Sequence, residues 1–211
     1  MQRRVIDAAG FEALFQKKID PWNYSASPFE AFKRRALLRA CGVRCRGRAL
    51  ELACATGETS RSLASRCLRL LSVDSSATAL AAAARRTQGH RNITLRQALL
   101  PGEMPRGPFD LIVVSELLYY LRANDLRVLT AKLRAALAPG GRVVLLHHMV
   151  DFDDAAQRPR HAQLATTKAL RRHMSLVHLT NAGRFQAAAL ERRALPRIES
   201  GSGSTGGRRR R

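Results

Sequence analysis

The stretch Leu50-Glu51-Leu52-Ala53-Cys54-Ala55-Thr56-Gly57-Glu58-Thr59 puts a carboxylate near the end of a short apolar run. Small residues follow at every second position, and then helix formers. Small side chains let a loop backbone come close to a ligand, and the free amides of a helix start supply hydrogen-bond donors. Asp74 lies 23 residues after Glu51 and ends the next apolar run, a position from which a carboxylate accepts both hydroxyls of a ribose. A nicotinamide dinucleotide site uses a similar acid, so these two features leave the ligand open. Three details favour a different ligand. Glu51 would repel a pyrophosphate but suits an amino-acid ammonium, and Ala53 and Ala55 stand where phosphate-binding glycines are expected. A strand pair also follows the fifth strand, unlike a simple dinucleotide domain.

Further candidates fall at other strand ends. Ser115-Glu116 follows the apolar run Phe109 to Val114, either facing a site or capping a helix. Tyr119-Tyr120 suits a substrate wall or the core. His147-His148 closes the fifth strand, where an imidazole serves as a base near neutral pH or simply as a polar strand end. Trp22, Tyr24 and Phe29 suit either a lid or a core anchor.

The elements that must position these residues alternate. Strands are expected at 48–52, 68–73, 93–95, 109–114 and 142–146. Helices are expected at 28–41, 59–65, 77–86, 125–137 and near 164–172. Ser175 to Leu179 and Phe185 to Leu190 flank a turn-rich pentapeptide and read as a hairpin. Strand–helix alternation predicts an α/β fold, mostly parallel with about seven strands, an antiparallel hairpin at its end and helices on both faces. In such sheets ligands bind over the carboxyl ends of the strands. The expected organisation is an N-terminal cap at 1–27, one domain at 28–199, and a Gly/Ser/Arg tail at 200–211 that is flexible by composition.

Composition narrows the class. The chain has 211 residues, 45% of them hydrophobic, enough for a single packed domain. No apolar run reaches the ~20 residues that span a bilayer, and the N-terminus lacks a signal peptide's apolar core, so a cytoplasmic protein is expected. The net charge is +21, and +17 remains without the four terminal arginines. A basic excess raises the prior for nucleic acid, but the arginines are dispersed and lack interleaved aromatics, so they read as solvated surface. The cysteines at 41, 45, 54 and 67 form no C-x-x-C pair. They are expected to be reduced, and no metal is expected.

Taken together, Glu51-x-Ala53-x-Ala55-x-Gly57, Asp74, the segment Pro108 to Glu116 and Ala138-Pro139-Gly140-Gly141 resemble, in order, the motifs of class I S-adenosylmethionine (SAM)-dependent methyltransferases. That family has a Rossmann-like sandwich. Asp20-Pro21-Trp22, Pro28-Phe29-Glu30, Leu50-Glu51-Leu52 with Cys54-Ala55, and Leu117 to Leu121 resemble its nodulation protein S group. That group comprises N-methyltransferases acting on an amino sugar of a lipo-chitooligosaccharide precursor. The resemblance covers roughly residues 11–195.

It implies that Glu51, Ala53, Cys54, Ala55 and Gly57 surround the methionine moiety, and that Asp74 and Ser75 hold the ribose. Gln97 and Ala98 fall where the family carries an acid for the adenine amino group, and Ser115 and Trp22 complete the cofactor set. Glu116 and His147 are the candidate bases, with Tyr119 orienting the acceptor. The implied acceptor is a small polar molecule, a sugar or amino sugar methylated on N or O, and a monomer or weak dimer is expected. Two alternatives remain at this point. A nucleic-acid methyltransferase is disfavoured because Ser115-Glu116-Leu117-Leu118 lacks the Asn/Asp-Pro-Pro-aromatic turn that holds a flipped base. A non-catalytic binding protein is motivated by Ala53 and the missing adenine acid.

Overall fold

The computed structural model describes residues 5–194, so the expected tail at 200–211 lies outside the described residues. Seven strands form one sheet in the order β3-β2-β1-β4-β5-β7-β6. They are β1 (Arg46–Leu52), β2 (Cys67–Asp74), β3 (Ile93–Gln97), β4 (Phe109–Ser115), β5 (Leu137–His148), β6 (Met174–Asn181) and β7 (Phe185–Arg192). The first five pair in parallel, while β7 runs antiparallel to both β5 and β6. The expected hairpin is therefore present. Its second strand inserts beside β5, which leaves β6 at the edge.

Strand alternation builds the two layers. Leu50, Leu52, Ile112, Val114, Val143 and Leu145 point to one face. There they pack under α5 (Ala123–Ala136) and α6 (Pro159–Arg171) through Leu129, Leu133, Ala162 and Leu170. Ala49, Leu111, Val113, Val144 and Leu146 point to the other face, against α2 (Pro28–Cys41) and α3 (Glu58–Leu63). Both faces are covered, which explains the unbroken apolar runs. Burying such residues contributes ~25 cal/mol per Å² of apolar surface. α4 (Ala77–Arg86) packs on β2 and β3, and Ser76 caps it by accepting from the Ala79 amide at 2.9 Å.

Several element boundaries differ from expectation for local reasons. The last long helix starts at Pro159, because proline has a preset φ and no amide to satisfy at a first helical position. β5 extends back to Leu137, which pairs with Phe109 across an irregularity that absorbs Pro139-Gly140-Gly141. The N-terminal segment contains a helix not read from the pattern, α1 (Ala8–Lys17), capped by Asp7 accepting from the Gly10 amide at 2.8 Å. Cys41, Cys54 and Cys67 are buried, Cys45 is exposed, and all four are free thiols. Among the described residues no helix is long and apolar enough to cross a membrane.

The approach to β4 is tightly packed against α5. A Cβ on Gly107 would overlap the backbone carbonyl of Ala136, which has no freedom to move aside. Gly107→Ala should therefore destabilise the fold by about 2–3 kcal/mol, measured as a lower denaturant midpoint at an unchanged slope.

Candidate active site

A cavity of about 1020 Å³ opens over the carboxyl ends of β1, β2 and β4, at the upper end of the range for sites that enclose small ligands. One wall is the loop after β1. Ala53 (φ 56°) and Ala55 (φ 47°) both hold left-handed backbone, and both line the cavity. Glycine relieves this conformation; alanine bears about 1 kcal/mol of strain there. The strain is held by hydrogen bonds. The Cys54 amide donates to Val73 O at 3.0 Å, and the Ala55 amide donates to Asp74 Oδ2 at 2.8 Å. Asp74 Oδ1 accepts from the Ser76 amide at 2.9 Å. Burial pushes the Asp74 carboxyl up, and these amides oppose that rise. Each oxygen keeps a lone pair, so the same carboxylate that pins the loop can accept hydroxyls from the cavity. Ser75 and Ala98 stand beside it in the wall.

Glu51 sits beneath this loop. Its Oε2 accepts the Ser60 hydroxyl at 2.5 Å and the Ser72 hydroxyl at 2.8 Å, and the carboxyl lines a smaller adjoining pocket with Cys54. Burial raises its pKa to about 7, against the lowering effect of the two hydroxyls. Gly57 touches neither pocket. It caps α3 at φ 79°, and a Cβ there would crowd Ala83 of α4 at 3.0 Å. Gln97 also lies off the cavity wall, donating its amide to Ser75 O at 2.9 Å.

The opposite wall is built around Glu116, held at φ 52° after β4 by its amide N–H, which donates to Leu146 O at 3.0 Å. Its Oε1 stands 2.7 Å from Lys33 Nζ of α2, an ion pair off the ideal hydrogen-bond line. Its Oε2 accepts the Tyr119 hydroxyl in a short bond, and the His148 amide at 3.2 Å. Burial raises the Glu116 pKa, but the Lys33 ammonium and the Tyr119 hydroxyl outweigh it and hold the carboxylate ionised below its usual range. Lys33 also pairs with Glu30 at 3.1 Å. Burial disfavours the ammonium, yet the two carboxylates keep its pKa raised. The sequence offered no signal for Lys33 beyond its place on the expected helix at 28–41.

The two histidines part company. His147 is fully buried, with Nε2 accepting the Leu118 amide at 3.2 Å and Nδ1 facing Gln163 Oε1 at 2.8 Å. Burial lowers its pKa to about 4, so it is neutral and turned away from the cavity. His148 lines the cavity instead. Both nitrogens of His147 are occupied, so the base role expected of it has no free lone pair there. Trp22 lines the cavity from the N-terminal segment, stacked among Phe11, Phe15 and Tyr24. That segment is latched to the body through Glu12, which accepts from the Ser76 hydroxyl at 2.6 Å and from Thr78. These bonds lower the Glu12 pKa to about 2.

Comparison with known proteins fits this arrangement. The family described as nodulation protein S (NodS) matches residues 8–191. The chain belongs to the nodulation protein S family. It is 36% identical to nodulation protein S of Rhizobium tropici over 128 residues, which is 59% of this chain and 53% of that protein. The chain thus spans about half the length of this curated relative. The solved N-methyltransferase NodS from Bradyrhizobium japonicum WM9, in complex with S-adenosyl-L-homocysteine (SAH), superposes with a TM-score of 0.74 at 24% identity. The match covers 86% of this chain and 97% of that one. A putative methyltransferase from Pseudomonas syringae superposes with a TM-score of 0.67 at 33% identity, covering 78% and 99%. The sheet is thus the class I methyltransferase sheet that the motif order implied, in a NodS-family chain.

Two buried groups in this NodS-family site give opposite pH dependence. Glu51 is raised from 4.5 to about 7, so it favours the folded state at acid pH and loses that contribution as pH rises through 7. His147 is lowered from 6.5 to about 4, so its contribution is present above pH 6.5 and is lost as pH falls through 4. Each effect is on the order of 2 kcal/mol, and between pH 7 and 4.5 they offset one another. Glu51→Gln removes one side of the balance. Its stability should fall more steeply than the wild type between pH 7 and 4.5, as read from denaturant unfolding at several pH values.

Proposed function

We propose that the chain transfers a methyl group from SAM to the nitrogen of a small amine acceptor, of the amino-sugar class. The observation that carries this reading is the single cavity that joins the Asp74–Ala55 wall to the Glu116–Lys33–Tyr119 wall. Membership of the family supports the same reaction. When bound, the cofactor supplies a methyl group activated by an adjacent positive sulfur.

The residues present suit that group. Asp74 would accept the ribose hydroxyls, and Ser75 and Ala98 would border the nucleoside with Leu99 and Leu100. Ala53 and Ala55 would face the methionine portion, and Glu51 would meet its ammonium from beneath through the smaller pocket. Ser115 and Trp22 would border the same cavity.

At the reacting end the chain's task is alignment and exclusion of water, because in-line displacement needs the lone pair aimed along the breaking bond. An acceptor amine that gains a methyl group would have to shed a proton, and the residues of this wall would have to orient the amine and receive that proton. Glu116, held anionic, orients the acceptor's N–H and offsets the positive charge that develops on nitrogen. Tyr119 fixes the direction of that carboxylate. His148 lines the same wall, its pKa lowered chiefly by burial, and takes the proton onward as a neutral imidazole. His147 contributes position only, holding the Leu118–Tyr120 turn that carries Tyr119.

Calorimetry with SAM tests the reading, and absence of binding at millimolar cofactor would refute it. Affinity should rise as pH passes 7, when Glu51 ionises, and Glu51→Gln should weaken binding and flatten that rise. Glu116→Gln should lower kcat for amine methylation by about 100-fold while SAM affinity stays within about threefold of the wild type.

A further inference from the structure

Several charges in the cavity wall are already engaged. Lys33 is bracketed by Glu30 and Glu116. Asp7 caps α1, and Asp74 is engaged by backbone amides. Arg184 differs. It lines the cavity from the turn between β6 and β7, and among the described residues it forms no ion pair. It is nonetheless held in place. Its guanidinium carbon lies 4.3 Å from the centre of the Phe29 ring, and its carbonyl accepts the Met149 amide at 2.8 Å. Phe29 in turn packs edge-on against Phe185 at 6.0 Å and His148 at 6.5 Å. An aromatic platform fixes the plane of a guanidinium and leaves its N–H groups free for a planar anion.

We infer that the methyl acceptor carries an anionic group, phosphate, sulfate or carboxylate, that pairs with Arg184 at the mouth of the cavity. This rests on the methyl-transfer reading above, since it assigns the second recognition point of the same acceptor. Arg184 and the Lys33–Glu116 pair share one neighbour, the Phe29 ring, whose centre is 4.3 Å from the Arg184 guanidinium carbon and 5.7 Å from Lys33 Nζ. An acceptor held by its anion at Arg184 and by its amine at Glu116 would thus be gripped at both ends by opposite charges. A two-point grip of this kind aligns the nitrogen as well as binding it. Paired arginine–oxyanion hydrogen bonds give both strength and direction. Pairing would also neutralise a cation that helps keep the His148 pKa low, leaving that imidazole a better proton acceptor when the right acceptor is in place.

The test uses the full chain saturated with SAH and three probes: glucosamine, glucosamine 6-phosphate and muramic acid. The phosphate or the carboxylate sugar should bind about tenfold or more tightly than glucosamine, and the stronger of the two separates a tetrahedral oxyanion from a carboxylate. Arg184→Gln should abolish that preference, and Arg184→Lys should restore part of it, with thermal stability and SAM affinity unchanged in both. Equal affinity for all three sugars, or a preference that survives Arg184→Gln, would overturn the inference while SAM binding leaves the methyl-transfer reading standing. An Arg184-dependent preference in a chain that does not bind SAM would instead overturn the methyl-transfer reading.

Discussion

The buried contact between Lys33 and Glu116 organises the site, and through it the chain above the sheet. An ammonium 6% exposed is stable only if its lost hydration is replaced, and here Glu30 and Glu116 replace it from two sides. The pair ties α2, laid over one face of the sheet, to the end of β4 at its centre. It also sets the ionisation of the carboxylate that meets both Tyr119 and the His148 amide. Removing one partner would leave the other charge buried, typically a loss of 3–5 kcal/mol. The position and charge state of Glu116 therefore come largely from one interaction.

Backbone strain follows the same logic. Among the described residues four other than glycine adopt left-handed φ, and Ala53, Ala55 and Glu116 of these line the cavity. Each is compensated nearby, the alanines by Asp74 and the Val73 carbonyl, and Glu116 by Leu146 and its ion pair. Strain of this kind persists where surrounding contacts over-determine the conformation. Substituting alanine for glycine in the loop thus costs conformational energy but leaves the loop's path intact, because Asp74 holds it from the next strand. That bears on the alternative of a protein that keeps the fold without using a cofactor, since the loop it was built on is neither collapsed nor closed over the cavity.

Much of this was legible in the residues. Acidic strand ends at Glu51 and Asp74, the small-residue loop and the apolar run of β4 each report a local requirement. Ligand approach, a ribose-type acceptor and burial on both sheet faces each constrain residue type over a few positions. The roles within the loop were less legible. Gly57 holds a left-handed φ and sits where a Cβ would crowd Ala83, and Gln97 turns to Ser75 O. Both depend on neighbours 20 or more residues away in the chain. α1 went unread because Gly10 sits inside a short helix whose real anchors, the Asp7 cap and the Glu12 latch, are individual hydrogen bonds rather than a periodic pattern.

The sequence by itself determined the layers, the strand order's parallel core and the place along the chain where a site must lie, because alternation and loop chemistry are local. Only the tertiary structure decided which side chains face that site. Val143 to Leu146 are buried on both faces, so the pattern carries no mark of which parity points where. Packing alone sends His147 toward Gln163 of α6 and His148 toward Phe29 of α2. The pairing of Lys33 with a carboxylate 83 positions later, and the seating of Arg184 on Phe29, likewise exist only once the sheet has brought distant segments together.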